Sequence, residues 1–231
     1  MRAEAVGGLS SIKSVGLAEG RLLFLRHGAI QSHAGGRRYI GQTDVPLSAA
    51  GQRQADQWAA YFAVTDPPAA IFCSDLDRCQ QTALKIAARC GLESQPMPEL
   101  REVDLGSWEG ERFDTVKKRF PQAFQQRGEQ IADHRPPGGE SFRDLQRRVW
   151  PVFESLAQNL QGSRLIVTHA GVIRVVLCRL LGMPLENLFS IGQAYGALNI
   201  IEVRPGGCRV QAMNWPLPEQ ACSPGHSDRC G

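Results

Sequence analysis

The sequence predicts an α/β fold, a three-layer α/β/α sandwich on a mostly parallel central sheet with a small helical insertion over its active edge. Two observations carry this. Short apolar runs alternate with amphipathic segments through most of the chain. Two of those runs, Phe24-Leu25-Arg26-His27-Gly28 and Val167-Thr168-His169-Ala170-Gly171, stop abruptly at a histidine and a glycine. In open α/β sheets ligands bind outside the carboxyl ends of strands, so residues there are placed to do chemistry.

In chain order, residues 1–20 are rich in small residues without a sustained period, and read as a flexible lead-in to a domain over 21–215. A strand over Arg21–Arg26 opens that domain, and a Gly/Arg-rich loop from Gly28 to Leu47 follows it. Ser48 is placed to cap a helix with apolar positions Ala55, Trp58, Ala59 and Phe62, ended by Asp66-Pro67-Pro68. Ala70–Cys73 reads as a second buried strand. Ser74-Asp75 then caps a helix with Leu76, Cys79, Ala83, Ile86, Ala87 and Cys90 on its apolar side, stopped by Gly91. Arg78 lies in its first turn, where a cation opposes the helix dipole, and this hints at an anion nearby.

Met97–Leu100 is expected as a short strand, and residues 102–110 as a loop folded over something. A short amphipathic helix from Phe113 to about Phe120 and a polar stretch to Gly139 make residues 111–139 an insertion over the sheet. Ser141 opens a helix with the stripe Phe142, Leu145, Val149, Val152, Phe153, Leu156 and Leu160, which Pro151 should bend or restart. The strand Arg164–Thr168 precedes a helix apolar nearly all round, hence buried, that Gly182 caps before Pro184 starts another turn. Leu198–Val203 and Cys208–Ala212 form a terminal hairpin, and 216–231 a polar, disordered tail.

Composition narrows the function. A formal charge of +3, with scattered arginines, argues against nucleic acid or membrane partners. No membrane span and no signal-peptide segment is legible, so the expected location is the cytoplasm. Of seven cysteines, Cys73, Cys79, Cys90 and Cys178 fall in apolar periodic segments and read as small core residues. Cys208, Cys222 and Cys230 complete the set, and no zinc-type spacing exists.

If the two histidine-ended strands are parallel neighbours, His27 and His169 meet at one edge with Arg26 and Arg78. Guanidinium forks suit phosphate oxygens, and their field should depress the imidazole pKa values, leaving a neutral His27 able to attack. Free amides at the start of the helix after His169 would add donors.

These residues resemble the histidine phosphatase superfamily, also called phosphoglycerate mutase-like, over roughly Leu22 to Val203. The resemblance rests on Arg26-His27-Gly28, Gly41-Gln42-Thr43-Asp44 with Pro46-Leu47-Ser48, residues Ser74 to Ala83, Leu100-Arg101-Glu102 with Gly106 to Gly110, Pro137 to Ser141, and Thr168-His169-Ala170-Gly171. It implies that His27 is the nucleophile that becomes phosphorylated and Glu102 the acid. Arg26, Arg78 and His169 would hold the phosphoryl group, with Gly41, Gln42 and Ala170 also against substrate. It implies no metal and no cofactor. Spacing alone does not rank Glu102 above Glu109, Asp75 or Asp44 as the acid.

Two departures stand out. Ala29 takes a position usually acidic in the family, and the loop asparagine has only Ser32 or His33 as nearest stand-ins. His33 and His134 read as solvated loop residues, and His226 has no assignment. The short interval between Glu102 and His169 favours a phosphatase, and residues 38–48 look most like alpha-ribazole phosphatases. The expected partner is a small phosphorylated metabolite, and the expected assembly a monomer or homodimer. The alternatives are a 2,3-bisphosphoglycerate-dependent mutase and a non-catalytic anion-binding regulatory module.

Overall fold

Four consecutive apolar residues, Leu22 to Leu25, make a strand buried on both faces, and this strand sits in the middle of the sheet. The computed structural model describes residues 20–31, 35–158 and 160–217. Apart from Gly20, Pro216 and Leu217, the expected lead-in and tail lie outside these, as do Ser32, His33, Cys222, His226 and Cys230.

The elements are β1 (Gly20–Arg26), α1 (Ala49–Val64), β2 (Ala70–Cys73), α2 (Asp77–Cys90), β3 (Ser94–Pro96), α3 (Phe113–Arg119), α4 (Pro121–Glu129), α5 (Phe142–Ala157), β4 (Gly162–Thr168), α6 (Ala170–Leu180), β5 (Leu198–Arg204) and β6 (Gly207–Trp215). The six described strands form one sheet in the order β3-β2-β4-β1-β5-β6. The pairs β2–β3, β2–β4 and β1–β4 are parallel, while β5 runs antiparallel to both β1 and β6.

Side chains alternate along the strands, so each face of the sheet has its own core. Leu23 and Leu25 of β1, with Leu165 and Val167 of β4, pack under Trp58 and Phe62 of α1 and Ile86 of α2. Leu22, Phe24 and Ile166 point the other way, against Val149 and Phe153 of α5 and Val172 and Val176 of α6. This is the expected three-layer sandwich, and β5 and β6 form the expected hairpin.

Caps explain three of the helix boundaries. Ser48 accepts the Gly51 N–H, and Ser141 forms a reciprocal capping box with Asp144. Gly91 ends α2 in a left-handed conformation with φ of 67°. α6 is buried from Ala170 to Cys178 except at Arg174, as a helix apolar all round must be.

Four expectations need correction. Met97–Leu100 is not a strand: Pro98 starts a 3₁₀ turn over Pro98–Leu100, and the pairing residues are Ser94–Pro96. α2 begins at Asp77 with Leu76 as its cap residue, because Ser74 and Asp75 turn their side chains to other partners. The polar stretch after Phe120 contains a further helix, α4, started by Pro121 at its first position. α5 does not restart at Pro151 but runs as one helix from Phe142 to Ala157, with Pro151 at an exposed position.

Candidate active site

Three parallel strands deliver their last residues to one edge. In the β1–β4 register Arg26 lies opposite Thr168, and the next backbone step bonds His27 N–H to Thr168 O at 3.0 Å. Ser74, just past β2, donates its N–H to Val167 O at 2.9 Å. The His27 and His169 rings therefore meet, with centroids 5.2 Å apart and planes at 61°.

The hydrogen bonds assign the tautomers. His27 Nδ1 lies 2.8 Å from its own neighbour's carbonyl, Gly28 O, which only accepts, so Nδ1 carries the proton and Nε2 keeps its lone pair. His169 Nδ1 receives the Arg78 Nε–H at 3.3 Å, so its proton sits on Nε2 and is donated to Ser74 Oγ at 2.9 Å. Burial first, and then the charges of Arg78 and Arg26, hold the His27 pKa well below the ordinary imidazole value. His169 is lowered by burial, Arg78, His27 and Arg26 in that order. The arginine field expected from sequence is present, but desolvation is the larger cause.

Arg78 is fully buried on α2 and held at three nitrogens: Nη1 on Thr43 O at 2.9 Å, Nη2 on Gly41 O at 2.5 Å, and Nε on His169. Of five N–H groups, two remain for a ligand. Arg26 donates from Nη1 to Gln193 O at 2.6 Å and stacks 3.8 Å from the Tyr195 ring centroid. Its Nε is buried with no protein partner among the described residues.

Glu102 leads into the loop before α3 and reaches across to α6. Its Oε2 accepts the Gly171 N–H at 3.0 Å and its Oε1 the Val103 N–H at 2.9 Å. One of the helix amides expected to serve an anion is thus committed to Glu102. Any Cβ at Gly171 would collide with Glu102 Oε1, which explains glycine there.

The structure separates the competing carboxylates. Glu109 accepts the N–H groups of Gly41, Gln42, Thr43 and Leu105 together with the Thr43 hydroxyl, so it ties down the loop that supplies Arg78's acceptors. Asp75 is bidentate on Arg101, and Asp44 accepts the Asp77 N–H. Gln42 Nε2 donates to Glu102 O at 3.2 Å. Gly41 therefore acts through its backbone and Gln42 steadies Glu102. Ala170 opens α6 beside His169.

Several contributors were not visible in the sequence. Thr82 accepts the Gly28 N–H at 3.2 Å, and Gln54 the Ala29 N–H at 2.7 Å, so two side chains from α1 and α2 hold the backbone just past His27. Cys79 is a core residue as expected, yet its Sγ lies 3.4 Å from His169 Nε2. Tyr195 comes from a loop with no periodicity to flag it. His134 is half-buried rather than solvated, its ring centroid 5.7 Å from that of Trp108.

Two clefts of about 540 and 280 Å³ adjoin this edge and share Arg38, Ile40 and Phe113. The larger reaches Tyr195 and the smaller reaches Glu102.

The sequence profile of the histidine phosphatase superfamily, branch 1, matches residues 22–216. The chain belongs to that superfamily. A probable phosphoglycerate mutase GpmB of Salmonella choleraesuis is 35% identical over 168 residues, which cover 71% of this chain and 76% of the relative. A mycobacterial glucosyl-3-phosphoglycerate phosphatase superposes with a TM-score of 0.76 at 27% identity, covering 86% of this chain and 100% of that one. The alpha-ribazole phosphatase of Shigella flexneri superposes with a TM-score of 0.76 at 28% identity, covering 84% and 96%. The chain also spans about half the length of mycobacterial curated relatives that it matches at 33% identity, among them the bifunctional protein Rv2228c of Mycobacterium tuberculosis, with 51% of that protein covered. Among the described residues of this superfamily member, no helix is long and apolar enough to cross a membrane.

Proposed function

We propose that the protein is a phosphomonoester hydrolase that works through a phosphohistidine on His27. The observation that carries this reading is the Nδ1–H to Gly28 O bond, which leaves an unprotonated Nε2 beside a second histidine and two arginines.

In the first half-reaction His27 Nε2 attacks phosphorus, the phosphorus–oxygen bond to the leaving group breaks, and protonated Glu102 gives its proton to the departing oxygen. In the second, Glu102 takes a proton from water as the water oxygen attacks phosphorus. The phosphorus–nitrogen bond breaks, and inorganic phosphate and neutral His27 result. The remaining N–H groups of Arg26 and Arg78 face the charge on the transferring oxygens, and their fixed positions supply the electrostatic part of the acceleration, while His169, both of whose ring nitrogens bond within the protein, holds Arg78 in place.

The substrate is a small phosphorylated metabolite, and the likeness to alpha-ribazole phosphatase makes alpha-ribazole 5′-phosphate the first to try. The likeness to a phosphoglycerate mutase supports a second reading, in which the phosphoryl group returns to substrate. Release of inorganic phosphate from p-nitrophenyl phosphate, blocked by vanadate and abolished in His27→Ala, is the expected result for hydrolysis. Isomerisation of phosphoglycerate without phosphate release supports the mutase, and neither activity refutes both.

A further inference from the structure

The 280 Å³ cleft has an excess of positive charge that the proposed chemistry leaves unused. Arg38, Arg127 and Arg174 all line it, and Glu102 is the only carboxylate among its lining residues. None of the three arginines forms an ion pair with Glu102, whose oxygens are held by backbone amides. A single carboxylate that must also be protonated during turnover does not balance three guanidinium groups.

The donors themselves are short of partners. Arg38 spends Nη1 on Gly110 O at 2.8 Å, yet its Nε is buried without a partner among the described residues. Arg127 Nη1 is buried and likewise unpartnered, and the group is held among aromatic rings, 5.9 Å from the Tyr39 centroid and 5.5 Å from that of Phe142. Arg174 fixes Nε on Ile191 O at 3.0 Å, its guanidinium 5.1 Å from the Phe189 ring centroid. Burial lowers the pKa of both Arg127 and Arg174, the mark of cations kept from water. Buried donors left unpaired cost free energy, and a bound anion would remove that cost.

We propose that Arg38, Arg127 and Arg174 form a second anion subsite, and that the substrate is a phosphomonoester whose departing part carries a carboxylate or another phosphate. This rests on the hydrolase reading and not on alpha-ribazole 5′-phosphate as substrate, whose departing alcohol carries neither group: with phosphorus at His27 and the departing oxygen at Glu102, the leaving group extends into this cleft. The aromatic side chains of Tyr39 and Phe142 would flank its body.

The test compares kcat/KM for 4-carboxyphenyl phosphate and 1,4-phenylene bis(phosphate) with that for 4-carbamoylphenyl phosphate, which matches the first in shape without its charge. One or both anionic substrates should exceed the amide by about tenfold or more, a typical scale for one charge-assisted contact. Which of them gains tells carboxylate from phosphate. In Arg127→Met the ratio of anionic to amide kcat/KM should fall about tenfold, mainly through KM. Arg38→Met serves if Arg127→Met fails to fold. Equal values for all three substrates, or a ratio unmoved in the folded variants, overturn the subsite and leave the hydrolase proposal standing. No hydrolysis of these three or of p-nitrophenyl phosphate overturns the reading on which it rests.

Discussion

Glu109→Gln is the substitution through which the scaffold behind the site can be weighed. The wild-type carboxylate accepts four backbone N–H groups, at 3.1 Å from Gly41, 2.7 Å from Gln42, 3.2 Å from Thr43 and 3.2 Å from Leu105, and a hydroxyl at 2.6 Å from Thr43. Glutamine keeps one acceptor oxygen and replaces the other with an NH₂ group that must face at least two of these N–H donors. Each donor left unsatisfied costs about 1–3 kcal/mol when buried. Glu109 is half-buried, so the lower end applies and the variant should lose about 2 kcal/mol, or about 4–8 °C in Tm for a domain of this size. The same loop presents Gly41 O and Thr43 O to Arg78, so the guanidinium should shift and kcat fall by about 10- to 100-fold. Denaturant unfolding and steady-state hydrolysis of p-nitrophenyl phosphate measure the two effects. A variant as stable as wild type, with kcat within twofold, would refute the claim that Glu109 positions Arg78.

Other expectations follow from the same geometry. Glu102→Gln should slow hydrolysis of an alkyl phosphate far more than that of p-nitrophenyl phosphate, whose leaving group needs no proton; equal losses count against Glu102 as the acid. His27 and His169 have folded pKa values held below the unfolded one near 6.5, so the unfolded chain binds more protons below that pH. Stability should be fully present above about pH 6.5 and fall as pH drops toward 5, with half-buried His134 adding in the same direction, and His27→Gln should flatten the slope. An unchanged slope argues against neutral burial. Ser141→Ala removes the hydroxyl that accepts the Asp144 N–H and should cost about 1 kcal/mol without altering kcat, as read by unfolding and assay. Gly171→Ala would drive a methyl into Glu102 Oε1 and should lower kcat by about 100-fold while leaving the fold intact by circular dichroism.

The parts of the molecule that were legible in the sequence are those where one local rule decides. Leu22–Leu25 and Leu165–Val167 can only be central strands, and the His-Gly and His-Ala-Gly that follow mark where they end. Ser48 and Ser141 carry cap chemistry in their own side chains. Less was legible where a residue's partner lies far along the chain. Nothing near Tyr195 shows that Arg26 stacks on it, because the two lie 169 positions apart in the chain and meet only through the β1–β5 pairing. Thr82 and Cys79 read as ordinary positions of α2, and their contacts with Gly28 and His169 appear only once α2 is laid against the strand ends. The apolar pattern also misleads at Met97–Leu100, where Pro98 forbids the ladder donor a strand would need. Glu102 and Glu109 share one loop and one residue type. Only the hydrogen bonds distinguish the carboxylate that holds the loop from the one facing the cleft.

The most direct test of the central claim is a rapid acid-free quench of the protein during turnover, followed by peptide mass spectrometry under alkaline conditions that preserve phosphoramidates. The account predicts a single phosphoryl group on the peptide bearing His27, which accumulates in Glu102→Gln and is absent from His27→Ala. A phosphoryl group on another residue, or turnover of substrate by His27→Ala at the wild-type rate, would contradict it.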